Sequence, residues 1–301
     1  MARLLRRRIS VGGLMLVILV IGLWLGYRTN LARDQKRAVA AVMADRGWVH
    51  YADEFAMGPV KVPPGNAIWK PSWGALTPGK RPMAPDWLRS AIGDEYFREV
   101  AHVSIFVDIQ KGMATGPNNL AVRVDDLMMV LRTQSGIRTL QLGGNTMTDK
   151  GLESIADLTN LKELVLWWAT EITDAGVAHL SPLRHLQLLD ISLSRVTDEG
   201  VRSLAMLPEL EELGLQGKFT DKSLLYLSQA GHLKSLRLHG GECEFSDEGL
   251  RHLEGLKDLR SLVLENAKVS EAAKERLLKA IPGVELKLYS KQPKPPASKP
   301  S

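Results

Sequence analysis

The sequence has only one cysteine, Cys243, among its 301 residues. A single thiol cannot form an internal disulfide, and the chain alone cannot supply a cysteine zinc site. No histidine or lysine pattern around Cys243 would stabilise a thiolate. The sequence therefore favours a small side chain in a loop over a reactive nucleophile.

A basic surface is also missing from the body of the sequence, although the net charge is +5. Four arginines lie within the first eight residues and three lysines within the last eleven, so the rest of the chain is slightly acidic. Proteins that bind DNA or RNA gather lysine and arginine on one folded face. We therefore predict no nucleic-acid partner.

The seven histidines lack the spacing of a metal site: His50, His102, His179, His185, His232, His239 and His252. A metal-binding helix would need two histidines one turn apart together with an acidic partner. The glycine pairs at 143–144 and 240–241 lack the pattern of a phosphate-binding loop. We predict that the protein is not an enzyme and has no metal site and no cofactor.

A long uncharged stretch occurs at residues 9–27. As a helix it would span about 28 Å, which matches the hydrocarbon core of a bilayer. Trp24 and Tyr27 near its end suit the headgroup layer, and Arg28 follows as a charged stop. We predict an uncleaved single-pass membrane helix; the alternative, a cleaved signal peptide, would have a shorter apolar core and small residues at its cleavage site. The arginines before the helix favour a cytoplasmic amino terminus, with the bulk of the chain on the extracytoplasmic side.

Beyond residue 120 the sequence repeats itself. Successive units begin with threonine or serine followed by an acidic residue, at Thr148, Thr173, Thr197, Thr220, Ser246 and Ser270. Their starts are spaced 25, 24, 23, 26 and 24 residues apart, which is within the range of leucine-rich repeats. A weaker unit precedes them, in which Val124 replaces the threonine and Asp125 is the acid.

Apolar residues recur at six positions of each unit, as in Leu152, Ile155, Leu158, Leu161, Leu164 and Leu166. The early positions are three residues apart and the last two are separated by two, which indicates a helix followed by a short strand. The threonine or serine suits a helix start, where its oxygen accepts from a free N–H, and the acid meets the positive end of the helix dipole. Neither element can bury its leucines alone, so the units must stack, with a parallel sheet on the concave side and helices on the convex side.

We therefore predict an α/β leucine-rich-repeat solenoid, a right-handed horseshoe with an N-terminal transmembrane helix. Strands are expected near Val103, Leu140, Leu164, Leu189, Leu213, Leu236, Leu262 and Leu286. The predicted organisation is a basic leader at 1–8, the transmembrane helix at 9–27, a stalk helix and connector at 28–57, a Pro-rich linker or lid at 58–85, an N-terminal cap and first degenerate repeat at 86–123, leucine-rich repeats with a C-terminal cap at 124–289, and a disordered tail at 290–301. The N-terminal cap would cover the first strand with Trp87, Leu88, Ile92 and Phe97.

The motifs Thr-Asp-Lys-Gly-Leu at 148–152, Ile-Thr-Asp-Ala-Gly-Val at 172–177 and Val-Thr-Asp-Glu-Gly-Val at 196–201 resemble the cysteine-containing subfamily of leucine-rich repeats, known from F-box substrate adaptors. Residues 1 to about 100 resemble the membrane-anchored start of bacterial leucine-rich-repeat proteins, with Trp24-Leu-Gly-Tyr27 leading into a charged, alanine-rich helix. The resemblance implies a protein-binding scaffold without catalytic residues. It departs at the strand-end position, usually asparagine or cysteine and here Asn145, Ala169, Ser194, Lys218, Gly241 and Ala267. Because a membrane helix stands where an F-box-like segment would be needed, a ubiquitin-ligase adaptor is the least expected function.

Strand residues between the buried leucines should point to the concave face and form a binding surface. The candidates are Gln141, Glu163, Val165, Trp167, Asp190, Ser192, Glu212, Gln216, Arg237, His239 and Glu265. Trp167 is the main candidate because tryptophan is enriched at interface hot spots; alternatively, Trp167 and Trp168 pack against the Pro-rich segment of the same chain. We predict a membrane-tethered module that binds a protein or peptide through this face. A receptor-like or cell-envelope protein that recognises a peptide or a glycan is the alternative, and the sequence leaves the oligomeric state open.

Overall fold

The computed structural model describes residue 30 and residues 32–41, 48–51, 100–106, 124–143, 147–240 and 242–289. The predicted membrane helix at 9–27, the Pro-rich segment at 58–85 and the tail at 290–301 lie outside these ranges. The predicted cap residues also lie outside them: Trp87, Leu88, Ile92 and Phe97. Within the described ranges, no helix combines the length and the apolar character that crossing a bilayer requires.

Helices and strands alternate along the repeats. The helices are α1 (residues 32–41), α2 (Val124–Leu131), α3 (Asp149–Ile155), α4 (Asp174–Ala178), α5 (Asp198–Leu204), α6 (Asp221–Leu227), α7 (Asp247–Leu253) and α8 (Glu271–Ala280). The strands are β1 (Trp48–Tyr51), β2 (Val100–Phe106), β3 (Thr139–Gly143), β4 (Glu163–Trp167), β5 (Leu188–Ile191), β6 (Glu212–Gln216), β7 (Ser235–His239), β8 (Ser261–Glu265) and β9 (Glu285–Tyr289). A strand occurs at each of the eight predicted positions, which confirms the helix–turn–strand unit.

The nine strands form one sheet in chain order. β1 pairs antiparallel with β2, and each later neighbouring pair is parallel. Equivalent residues lie side by side, so that Leu164 is paired with Leu189 and Leu189 with Leu213. Equivalent positions of successive repeats therefore form rows across the sheet.

Two features near the amino terminus differ from the prediction of a stalk and connector at 28–57. Residues 48–51 form β1 and add an antiparallel strand to β2; a strand of four residues is too short for its periodicity to be recognised. α1 is not a free stalk, because Ala38 is buried in the hydrophobic core and Val39 and Ala41 pack against it. The small alanine side chains allow this helix to approach the core closely.

The leucines of each repeat form one continuous core. Leu164, Leu189 and Leu236 are fully buried, and Leu213 is 2% exposed. The helices of the central repeats are too short to be stable in isolation, so packing of their buried faces stabilises them. A further buried apolar residue precedes five of the helix caps: Met147, Ile172, Val196, Phe219 and Phe245. Val269, before the Ser270 cap, is partly buried.

The aspartate at the start of each helix from α2 to α7 joins that helix to the next repeat. The Asp174 Oδ1 atom accepts from the backbone N–H of Thr197 at 2.8 Å and of Gly200 at 3.0 Å, and Oδ2 accepts from the Thr197 hydroxyl at 2.6 Å. The same carboxylate-to-cap contact joins six pairs of repeats, which we call the Asp ladder: Asp125–Thr148, Asp149–Thr173, Asp174–Thr197, Asp198–Thr220, Asp221–Ser246 and Asp247–Ser270. The predicted capping role of the hydroxyl is confirmed, since the Thr197 side chain accepts from the backbone N–H of Glu199. The contact between repeats is an additional role of the acid.

A glycine gives the ladder carboxylate access to the neighbouring helix. A Cβ atom added at Gly200 would lie 2.5 Å from Asp174 Oδ1, closer than two such atoms can approach. Ser223 replaces this glycine in one repeat, and its hydroxyl donates a hydrogen bond to Asp198. The glycine or the serine in the motif is therefore part of the connection between repeats.

Candidate functional site

The outward face of the sheet, which we call the sheet face, is formed by the residues that alternate with the core leucines across β3–β8. Its first row is Thr139, Glu163, Leu188, Glu212, Ser235 and Ser261; its middle row is Gln141, Val165, Asp190, Gly214, Arg237 and Val263; its last row is Gly143, Trp167, Ser192, Gln216, His239 and Glu265. Every residue predicted for the binding surface belongs to one of these rows. Parallel register therefore brings the predicted residues onto one surface.

Asp190 and Arg237 form an ion pair across the middle of the sheet face. Arg237 Nη1 lies 3.3 Å from Asp190 Oδ2, and the side chains are 25% and 9% exposed, respectively. Their strands are separated by β6, where a Cβ atom added at Gly214 would lie 2.5 Å from Asp190 Oδ2. The missing side chain at Gly214 thus allows the pair to form across a whole strand.

Glu163 lies at the start of β4, beside Leu188 of β5. Burial raises the pKa of Glu163 above its usual value, while a hydrogen bond from Thr139 and the charge of Lys162 act in the opposite direction. The Thr139 hydroxyl contributes only a long contact, with Oγ1 3.5 Å from Glu163 Oε2. Glu163 is thus a partly buried carboxyl group whose charge is weakly compensated.

Glu212 lies on the other side of Leu188, at the start of β6. Burial raises the pKa of Glu212, and repulsion from Glu163 and then Glu211 raises it further, against the attraction of Arg237. Like charges that share a surface disfavour ionisation of one another. The charge of Glu163 therefore raises the pKa of Glu212 across Leu188.

His239 ends β7 in the last row. Burial lowers the pKa of His239 and the positive charge of Arg237 lowers it further, while Glu265 opposes the shift. The imidazole is therefore neutral at pH 7 and offers one donor and one acceptor nitrogen.

Three side chains predicted for the binding surface hold the backbone of the neighbouring repeat. Each accepts a hydrogen bond from an N–H just beyond the preceding strand: Ser192 Oγ from Trp168 at 3.3 Å, Gln216 Oε1 from Leu193 at 3.1 Å and Glu265 Oε2 from Gly240 at 2.8 Å. A partner would have to share these acceptors with the protein backbone. The three residues thus have a structural role that strand alternation does not reveal.

Burial divides the remaining predicted residues. Val165 is 1% exposed, so its prediction as a contact residue is wrong even though it lies on the sheet face. Gln141 is 7% exposed, and its Oε1 atom accepts no hydrogen bond from the part of the chain that the structure describes. Trp167 is partly exposed. Alternation tells which way a side chain points but not how exposed it is, which is why sequence alone misassigns Val165.

Trp168 and Leu193 form an apolar surface beside the last row of the sheet face. Both have left-handed backbone, with φ of 57° and 56°, a conformation that strains bulky residues. They are 42% and 41% exposed. Gly217 and Gly240 occupy the equivalent position of the next two repeats. Large residues where related repeats have glycine are the signal that could have identified this surface from the sequence.

The helix side has a shallow groove of about 970 Å³ across α5 and α6. Its side chains contact one another: the Arg202 guanidinium lies 5.9 Å from the centre of the Tyr226 ring, and the Tyr226 hydroxyl is 3.3 Å from Glu199 Oε1. Met206 at its rim is 72% exposed. This surface is the natural comparison for experiments on the sheet face.

Cys243 is buried, and its Sγ atom lies 3.6 Å from the carbonyl oxygen of Gly217. Burial raises the pKa of Cys243 to about 11, so the group is a thiol at neutral pH. Among the residues that the structure describes, no three or more histidine, cysteine, aspartate or glutamate side chains are grouped so that they could hold a metal ion.

Residues 137–156 and 183–205 match a family model described as a leucine-rich repeat. No curated protein matches the chain significantly. Similar solved structures include an internalin (inlF) from Listeria monocytogenes, with 19% identity, a TM-score of 0.41, and coverage of 55% of this chain and 44% of that one. Internalin C2 (inlC2) from the same organism has 23% identity and a TM-score of 0.47, with coverage of 63% of this chain and 80% of that one.

The chain thus spans less than half of the length of the first internalin. The repeat spacing, the parallel sheet with one helix per repeat, and the two matched segments together show an α/β leucine-rich-repeat fold.

Proposed function

We propose that this protein is a membrane-tethered module that binds a protein or peptide partner across the sheet face and the adjoining Trp168–Leu193 surface. The observation that carries the proposal is the exposure of these two bulky apolar side chains on strained backbone in consecutive repeats. Strain of this kind is found where function requires a side chain at a particular place. Partly exposed Trp167 extends the same apolar surface onto the sheet face.

Folding alone gives no reason for tryptophan and leucine at these positions. Glycine adopts a φ near 57° without a steric penalty, whereas tryptophan and leucine are strained there. The next two repeats have Gly217 and Gly240 at the equivalent position, and Gly240 has a different φ, of 144°. A contiguous exposed apolar surface is also a common feature of protein-binding sites, in which tryptophan is enriched. Partner recognition accounts for both the residue types and their exposure.

The test is capture of partners by the full chain and by the double variant Trp168→Gly/Leu193→Gly. These changes remove both apolar side chains while relieving the backbone strain, so the variant should melt at or above the wild-type temperature. We expect it to lose proteins that the wild type captures by photo-cross-linking from membrane extracts. Capture of a glycan in place of a protein would instead favour the receptor-like alternative.

Met206→Ala/Leu225→Ala is the matched control, because it removes two exposed apolar side chains from the helix side, 72% and 45% exposed. Capture by this control should equal that of the wild type. If the Trp168→Gly/Leu193→Gly variant captured the same proteins in the same amounts, the proposed surface would be wrong.

The membrane tether rests on the apolar run at residues 9–27. We expect the full chain to remain in the membrane fraction after an alkaline carbonate wash, and a chain that begins at residue 28 to be released. Digestion of the repeats by protease added to intact cells would support the extracytoplasmic orientation, and protection in intact cells with digestion after lysis would reverse it.

A further inference from the structure

The sheet ends in a rim whose side chains change along its length. We call the position that directly follows the last row the strand-end rim: Trp168, Leu193, Gly217, Gly240 and Asn266. Trp168 and Leu193 project from it and are 42% and 41% exposed. The two glycines have no side chain, and Asn266 is 8% exposed, with its Nδ2 donating to the carbonyl oxygen of Gly240 at 3.2 Å. The rim is therefore low beyond β6–β8 and has two apolar side chains beyond β4 and β5.

Residues 290–301, which we call the tail segment, begin in line with this rim. Tyr289 ends β9 in register with Glu265, so it extends the last row by one strand, and Ser290 takes the rim position of that repeat. The low part of the rim lies between Ser290 and Leu193. A chain that turned back at Ser290 would thus meet no projecting rim side chain before the apolar surface.

The spacing of the strands sets how many residues this path needs. β9 is four strands from β5 and five from β4. At about 4.8 Å per strand, these separations are about 19 and 24 Å. A polyproline II chain advances about 3.1 Å per residue, so the path takes about six to eight residues beyond Tyr289. Pro295 and Pro296 are the sixth and seventh of these residues.

The composition of the tail segment matches the surface that it would reach. The segment has four prolines and three lysines and no acidic residue. Proline has no N–H with which to continue the sheet, and it favours polyproline II. Proline-rich segments in this conformation dock on aromatic-lined surfaces. Trp168 and Leu193 offer such a surface at the required distance.

Charge favours the same placement. The sheet face beside the rim has four carboxylates and one guanidinium across β3–β8, with His239 neutral. Lys291 is two residues beyond Tyr289, and Glu265 lies on the adjacent strand. Exposed ion pairs are weak. The lysines therefore orient the segment, while the prolines provide most of the contact.

We infer that the tail segment binds back along the strand-end rim and places Pro295 and Pro296 on the Trp168–Leu193 surface. This inference rests on the proposed function and adds its regulation, because the tail segment occupies the partner surface until a partner displaces it. A tethered segment has an effective concentration of about 1 mM. A free copy of the segment with an intrinsic Kd of about 0.1 mM would therefore bind about tenfold more weakly while the chain's own segment competes.

The test measures binding of a fluorescein-labelled peptide of residues 290–301 to the full chain in detergent, by fluorescence anisotropy. Pro295→Gly/Pro296→Gly in the protein weakens its own tail segment. This variant should therefore bind the unchanged peptide about tenfold more tightly than the wild-type protein does. Addition of Trp168→Gly/Leu193→Gly to the variant should abolish the binding.

Pro293→Gly/Pro300→Gly is the matched control, because it changes two prolines of the same segment that lie before and beyond the apolar surface. It should bind the peptide within about twofold of wild type. Equal binding by the wild type and the Pro295→Gly/Pro296→Gly variant would overturn the inference. Absence of binding to that variant, or binding that survives the loss of Trp168 and Leu193, would also overturn it.

A photo-cross-linking amino acid at position 297 locates the tail segment directly. With p-benzoylphenylalanine in place of Ala297, irradiation should link position 297 to residues 168–193 of the same chain. Cross-links to other parts of the chain would contradict the proposed docking. Cross-links between two chains alone would show that a second copy supplies the segment, and would overturn docking within one chain.

These outcomes are separable from the test of the proposed function. If Trp168→Gly/Leu193→Gly loses captured partners but the tail peptide binds to none of the proteins, the partner surface stands and the tail docking is wrong. If the peptide binds as expected while the wild type and Trp168→Gly/Leu193→Gly capture the same partners, the tail docking stands and the partner surface is wrong. Where both hold, Pro295→Gly/Pro296→Gly should capture more partner than the wild type.

Discussion

Replacing Asp174 with alanine should destabilise the solenoid at one joint between repeats. The carboxylate accepts three hydrogen bonds from the next repeat, two from backbone N–H groups and one from the Thr197 hydroxyl. Bonds to a charged group contribute about 1.5 to 3 kcal/mol each, and water can replace part of this at a half-buried site. We therefore expect the variant to lose about 2 to 4 kcal/mol of unfolding free energy.

Asp174→Asn separates the hydrogen bonds from the charge. The asparagine oxygen can still accept from both backbone N–H groups, and the Thr197 hydroxyl can rotate to accept from the amide. We expect this variant to lose about half as much as Asp174→Ala. Glu153→Ala, at an exposed position of α3, should change the free energy by less than about 0.5 kcal/mol.

Urea unfolding followed by circular dichroism measures the free energies, and hydrogen exchange locates the loss. The amides of Thr197 and Gly200 should exchange faster in Asp174→Ala, because their acceptor is gone. If Asp174→Ala unfolded at the same urea concentration as Glu153→Ala, the Asp ladder would make no contribution to stability and the reasoning would fail.

Four further predictions concern single side chains. Leu213→Ala should cost about 2 to 5 kcal/mol in urea unfolding, because it leaves a cavity in the leucine core; an unchanged midpoint would contradict its burial. Burial raises the pKa of Glu212, so ionisation of Glu212 opposes folding as pH rises through the folded pKa. Glu212→Gln should therefore raise Tm at pH 7 but leave it unchanged below the ordinary glutamate pKa of 4.5; a lower Tm at pH 7 would contradict this. Hydrogen bonds from Ser270 hold the pKa of Asp247 below its usual 3.8, so these bonds stabilise the fold above pH 3.8 and their contribution is lost as pH falls through the folded pKa. Ser270→Ala should raise the pKa of Asp247 in an NMR titration; an unchanged titration would refute the contact. Cys243 should resist iodoacetamide at pH 8 in the native protein and react after unfolding, because burial raises its pKa to about 11; rapid native labelling would show that the thiol is accessible.

The repeat fold could be predicted from the sequence because each unit contains its own evidence. Leucines three residues apart and then two apart specify a helix and a strand that share one buried side, and Leu164, Leu189 and Leu213 are buried accordingly. The role of Asp174 could be predicted only in part. Helix capping explains the acid within one unit, whereas its contact with Thr197 depends on how closely two units stack.

The candidate site could be predicted as a surface but not as a set of available side chains. Alternation places Glu163, Val165 and Arg237 on the sheet face, and parallel register brings them together. Val165 is nevertheless buried, and periodicity does not report how exposed a side chain is. The left-handed backbone at Trp168 and Leu193 is equally invisible to hydrophobic periodicity, and it determines the partners of Ser192 and Gln216.

The Asp ladder makes the units exchangeable. Excision of residues 174–197 would remove one acid and one hydroxyl of the Asp ladder together; Asp149 would still face Thr173, and Asp198 would still face Thr220. The same excision would remove β5 and Asp190, and so alter the surface offered to a ligand. Gain or loss of a whole unit can therefore change what the protein recognises while the chemistry of every remaining joint stays the same.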